Sequence, residues 1–164
     1  MATIETTVNI RAASYHLVTT ARACWRCGVS TPVYGFVLPA GHEVLQLDED
    51  DAALDYWESA DYPSLLSYIG YLTPPVVARI SARAPHYRLR FSTTTALRYW
   101  MNGCEHCGAK LGDFFIFEEP GQGFLPFTAE QARQITVARV TEPFAAFCHS
   151  WSVGIELYEF MRRS

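Results

Sequence analysis

The chain has 164 residues, of which 49% are apolar and 18% charged, and its formal net charge is −4. That length fits one compact domain. The composition excludes a disordered chain, and the mild negative charge gives no argument for a polyanion partner. The aromatic share of 14% calls for large buried rings. Twelve of the thirteen basic residues are Arg and one, Lys110, is Lys.

The N-terminal stretch "MATIETTVNIRAASYHLV" has no basic segment leading into an apolar one, so no signal peptide is expected. No apolar run reaches the ~18 residues of a membrane span. These features predict a cytoplasmic protein with no membrane partner. Five Cys in a reducing compartment then point to metal ligands or free thiols rather than disulfides.

In chain order, "SYHLVTTARA" (14–23) predicts a strand entering a turn and "VYGFVL" (33–38) the strand leaving it. Residues 45–85 predict a helical insertion. There Leu54, Trp57, Leu65, Leu66 and Ile69 recur at roughly helical intervals, interrupted by Pro63. "PPVVARISARAP" (74–85) predicts a short helix with Pro in its first turn and Pro as its stop. "YRLRFSTTTALRYW" (87–100) and "DFFIFEE" (113–119) predict strands around a second turn. Thr128 with Gln131 fits a capping box over "TAEQARQI". Strands are expected at 136–141 and near 152–160.

An internal repeat organises this pattern. Residues 19–39 read "TTARACWRCGVSTPVYGFVLP", and residues 94–120 read "TTALRYWMNGCEHCGAKLGDFFIFEEP". Each copy has Thr-Thr-Ala, then Cys-x-x-Cys-Gly, then an apolar run ending at Pro. In each pair a tight turn aims both sulfurs at one point, and the following Gly can take positive φ. Cys24, Cys27, Cys104 and Cys107 together complete a tetrahedral thiolate shell. "CWRCG" and "CEHCG" resemble the knuckles of the zinc-ribbon group. That resemblance implies a closed Cys₄ site holding structural Zn²⁺. Iron is the lesser alternative, since both pairs lack the Pro of many iron knuckles. Ribbons usually separate their pairs by ~15–20 residues. The 76 residues between these pairs therefore imply an insertion.

Other motifs fail on inspection. "HEVLQ" (42–46) has Gln where a metalloprotease helix needs His. "CEHCG" lacks the Pro and the upstream HxE of a zinc deaminase. His106, between two ligands, suits a solvent-facing turn better than coordination. Cys148 and His149 are adjacent, so a strand points them to opposite faces. No partner is evident for His16, His42 or His86.

Charge is segregated. Glu43 to Asp61 holds eight acids and no base, while Tyr62 to Cys104 holds Arg79, Arg83, Arg88, Arg90 and Arg98 and no acid. Aromatics lie among these Arg residues, a combination that can bind single-stranded nucleic acid. The acidic stretch, with Tyr56, Trp57 and Tyr62, suits a protein-docking surface or a solvated face.

The sequence therefore predicts an α+β fold. Its antiparallel β core is built on two zinc-knuckle hairpins (14–44 and 86–120), with a helical insertion at 45–85 and a C-terminal extension at 121–164, in one domain. The expected function is a non-enzymatic, zinc-stabilised module that binds another protein. The alternatives are a nucleic-acid-binding regulator using the five Arg residues, and a thiol-redox protein using the CxxC pairs.

Overall fold

The computed structural model describes residues 8–153 and 157–164. The first strands are β1 (Ile10–Ala12), β2 (Tyr15–Ala23), β3 (Ser30–Leu38), β4 (Glu43–Gln46), β5 (Tyr56–Ser59) and β6 (Ser64–Leu72). Helix α1 (Pro74–Arg83) follows, then the hairpin of β7 (Arg88–Ser92) and β8 (Leu97–Gly103), and β9 (Lys110–Leu111). Helices α2 (Asp113–Phe117) and α3 (Ala129–Ala132) precede β10 (Thr136–Val140), β11 (Phe144–Val153) and β12 (Arg162–Arg163).

Among the described residues the main sheet runs β12-β10-β2-β3-β6-β11-β1-β4-β5, and β8 joins it at β6, carrying β7 and β9. The pairings are antiparallel except β10 with β12. The central strands are apolar on both faces, and alternate residues sort into two layers. Tyr15, Leu17, Phe36, Leu38 and Leu66 pack with Val76, Ile80 and Ala84 around α1. Val18, Val33, Val37 and Leu65 pack on the other side with Ile116, Ala132 and the Cys24 and Cys104 side chains.

The sheet forks at β6. One edge of β6 pairs with β11. The other pairs with β3 at Ser64 and Leu65 and with β8 at Ile69. Backbone groups lost to the ladder at this fork find side-chain partners, as buried polar groups must. The Asn102 amide accepts from the Tyr34 N–H at 2.8 Å and donates to the Tyr34 carbonyl at 2.9 Å. The Asp113 carboxylate accepts from the Tyr68 N–H at 2.7 Å, and Tyr68 itself has φ +50°.

The hairpin of β2 and β3, the helix after Pro74, the capping box at Thr128 and the strand near 136 match the sequence reading. The helical insertion does not. Residues 45–73 contain β5, β6 and a single 3-10 turn over Ala52–Leu54, and helix begins only at Pro74. Leu66, Ile69 and Leu72 do face one layer three residues apart. Positive φ at Tyr68 and a bulge opposite Phe147 and Cys148 break the strand alternation and so imitate a helical period.

"DFFIFEE" is likewise a correction: Asp113–Phe117 is helical, with Ile116 buried and Phe114 exposed. Short apolar runs do not separate the two periods. Residues 87–100 form a hairpin rather than one strand, turning where Ala96 has φ +56°. Of the expected strand near 152–160, residues 154–156 lie outside the described residues and Tyr158–Phe160 is a 3-10 turn. Among the described residues no helix is long and apolar enough to cross a membrane.

Candidate metal centre

The two Cys-x-x-Cys-Gly stretches fold alike. Cys24 N–H donates to the Val29 carbonyl at 3.0 Å, and Gly28 N–H to the Cys24 carbonyl at 2.9 Å. In the second copy Cys104 N–H donates to Ala109 at 2.9 Å, and Gly108 N–H to Cys104 at 2.9 Å. Gly28 has φ +74° and Gly108 φ +75°, the left-handed conformation that closes each turn. Backbone N–H groups approach the first sulfur of each pair, Arg26 N to Cys24 Sγ at 3.3 Å and His106 N to Cys104 Sγ at 3.4 Å.

The turns face each other across the molecule. Cys24 Sγ lies 3.7 Å from Cys107 Sγ, and Cys27 Sγ lies 3.7 Å from Cys104 Sγ. All four sulfurs fall within 4.8 Å of one another, close enough to hold one metal ion. Cys24 and Cys104 are buried, whereas Cys27 is exposed.

The sulfurs do not ionise equally. Burial opposes the Cys24 thiolate, but the N–H groups of Cys27 and Arg26 and two neighbouring thiols outweigh it and bring that thiol down to about 6. At Cys104 burial is again outweighed, chiefly by the N–H groups of Cys107 and His106, and the thiol is lowered. At Cys27 the Val29 N–H favours the thiolate, but desolvation and the three other sulfurs prevail and push it up to about 11. Cys27 thus retains a proton that a divalent cation would displace.

Surrounding contacts fix the turns. The Arg22 guanidinium, 9% exposed, bonds Glu119 at 2.6 Å and Gln122, and stacks over the Phe115 ring at 3.9 Å. It ties the strand before Cys24 to the loop after α2. Glu119 stands 97 positions further along the chain, and no local pattern signals this pair. Trp25 Nε1 donates to the Lys110 carbonyl at 2.8 Å and so links the first turn to the strand after the second. Glu105 N–H donates to Thr31 Oγ1 at 3.1 Å in the reverse sense.

The remaining candidates are dispersed. His106 stands outside the thiol cluster and bonds the Ser30 carbonyl at 3.1 Å. His16 bonds the Tyr158 hydroxyl at 2.9 Å, and His42 is buried between the Pro39 carbonyl and Ser64. Cys148 is buried with its backbone clasped by the Asn9 amide, whereas His149 is exposed. Arg79 is engaged by Glu142. Arg90 is half-buried and donates to the His86 carbonyl at 3.2 Å. Arg83, Arg88 and Arg98 are exposed, while Tyr87 and Tyr99 are buried.

Comparison with protein-family models, with curated proteins and with solved structures gave no match.

Proposed function

We propose that Cys24, Cys27, Cys104 and Cys107 hold one Zn²⁺ as a closed structural site, and that this one-domain protein works as a non-enzymatic interaction module in the cytoplasm. The observation that carries the metal assignment is the convergence of four sulfurs from two equivalent turns. A Zn–S distance of about 2.3 Å gives S···S edges of about 3.8 Å in a regular tetrahedron, and two of the edges here are 3.7 Å. Zn²⁺ suits a site whose task is cohesion, because it has no redox chemistry and accepts tetrahedral thiolate coordination.

Four thiolates leave no coordination position for water, which argues against Lewis-acid catalysis at this ion. The ion would instead pin the β2–β3 hairpin to the β8–β9 turn, with Cys24 and Cys104 built into one apolar layer. An interaction role is supported by apolar side chains left exposed in the first turn, Trp25 and Val29, and on β7, Leu89 and Phe91.

Elemental analysis of protein purified without added metal tests the assignment. One zinc per chain, released together with loss of tertiary structure on chelation, is the expected result. Iron in its place would reassign the ion. Metal-free protein with reversible Cys24–Cys27 or Cys104–Cys107 disulfides would replace the reading with the thiol-redox one.

A further inference from the structure

Two open edges of the sheet, β7 and β5, are opposite in character. Among the described residues β7 pairs only with β8, and β5 only with β4. An open edge presents unpaired N–H and C=O groups on which another strand can form. Most proteins blunt such edges with charge turned inward or with very short strands.

The β7 edge turns one charge inward, Arg90, whose guanidinium donates to the His86 carbonyl, but keeps an apolar outer face. Cross-strand register puts Leu89 opposite Trp100 and Phe91 opposite Arg98. Arg88 and Arg90 lie opposite buried Met101 and Tyr99. The apolar residues of this strand therefore take the outward position: Leu89 is 40% and Phe91 46% exposed. The patch continues to the metal centre through Lys110, whose Nζ donates to the Phe91 carbonyl at 2.7 Å and whose own carbonyl accepts from Trp25. Exposed Arg98, opposite Phe91, and exposed Lys110 lie beside it.

The β5 edge is its counterpart in charge. It lies within the eight-acid stretch from Glu43 to Asp61. Tyr56 and Glu58 are exposed and Trp57 is half-buried. The preceding loop holds its shape through its own acids, with Asp48 accepting from the N–H groups of Asp50 and Asp51.

We infer that β5 of one copy adds to β7 of a second copy, so that the protein self-associates head to tail through these two sheet edges. An antiparallel addition that sets Glu58 against Arg90 also sets Trp57 against Phe91 and Ser59 against Leu89. One face then gains an ion pair and the other an aromatic pair, the two kinds of cross-strand contact that stabilise sheets. Like edges do not match: β7 on β7 sets Arg90 against Arg90, and β5 on β5 brings the acidic stretches together. The association is heterologous and does not close on itself as a two-fold dimer would. It rests on reading the protein as an interaction module, and it gives the metal a role there, since the metal would hold Trp25 beside β7.

A four-residue strand addition falls short of the ~1,000 Å² of a stable interface, so the association is weak and reversible. Sedimentation velocity on the full chain, from about 10 µM to about 1 mM and at low salt, should show mass rising with concentration. At 1 M salt, where charges are screened beyond ~3 Å, it should return to the monomer. Glu58→Arg blocks β5 and Phe91→Glu blocks β7, and both positions are exposed, so neither change disturbs the core. Each variant alone should stay monomeric, and an equimolar mixture should form a one-to-one dimer, because each supplies the edge the other lacks.

Several results overturn the inference: a wild type monomeric throughout, a Glu58→Arg variant that still associates, or a mixture that stays monomeric. Oligothymidylate binding that Phe91→Glu abolishes in a monomeric protein assigns the β7 edge to nucleic acid instead. Zinc content measured on the same samples separates the two readings. Monomers with one zinc per chain refute the interface alone, and zinc-free protein refutes the metal assignment.

Discussion

Asp113 is buried at the first turn of α2, with one carboxylate oxygen on the Tyr68 N–H and the other without a partner. Burial pushes its pKa up to about 8, against the pull of the Tyr68 N–H. The unfolded chain ionises this group near its ordinary 3.8, so between those values the native state holds a proton that the unfolded state has released. Stability contributed by neutral Asp113 is complete below about pH 4 and is lost as pH rises through about 8, at on the order of 1.4 kcal/mol per pH unit. Asp113→Asn keeps an oxygen for Tyr68 and cannot ionise. Denaturation midpoints measured from pH 6 to 9 should fall with pH in the wild type and stay nearly flat in the variant. Arg22→Ala tests another buried polar group. It removes the strap between β2 and the loop after α2 but leaves Glu119 able to reach water, at a side-chain exposure of 38%. A loss of about 1–3 kcal/mol in chemical denaturation is expected, with zinc retained.

At the scale of the element, the unit is the Cys-x-x-Cys-Gly turn, and the two copies are equivalent in hydrogen bonding and in glycine conformation. Cys24→Ser and Cys104→Ser should therefore do equal damage: each should lose the zinc and the near-ultraviolet circular dichroism of the fold. A Cys24→Ser or Cys104→Ser variant that keeps metal refutes the shared site. Cys148→Ala, a change at the buried thiol outside the cluster, should keep full zinc content and cost about 1 kcal/mol for the small cavity. At Gly28 and Gly108 a Cβ would meet no atom within 4 Å. Gly28→Ala and Gly108→Ala are thus strained through φ alone, and each should lower stability by about 1 kcal/mol in the metal-loaded protein. A substitution free of cost would mean that the turn relaxes out of the left-handed conformation.

Over the whole molecule, two apolar layers lie on opposite faces of one forked sheet, and the thiol cluster belongs to only one of them. Chelation should therefore perturb the molecule unevenly. Amide resonances of residues packed around Cys24 and Cys104, such as Val33, Leu111 and Val137, should shift or broaden first. Those around α1, such as Phe36 and Ile80, should move less. Uniform collapse of both layers would show that the metal holds the whole sheet together rather than one face of it.

The sequence by itself determined the four sulfurs, the glycine after each pair, the β2–β3 hairpin, the helix between Pro74 and Pro85 and the cap at Thr128. All of these depend on residues a few positions apart, where covalent geometry and local hydrogen bonding decide the outcome. Only the tertiary structure decided that Ser64–Leu72 is a strand, because its apparent helical period comes from a bulge and a positive φ at the fork. Only it made a helix of Asp113–Phe117, joined Arg22 to Glu119, and turned Leu89 and Phe91 outward while the Tyr87 and Tyr99 rings went inside. An apolar residue records that burial is favourable but not against which partner, and that choice is made by chain segments up to a hundred residues away.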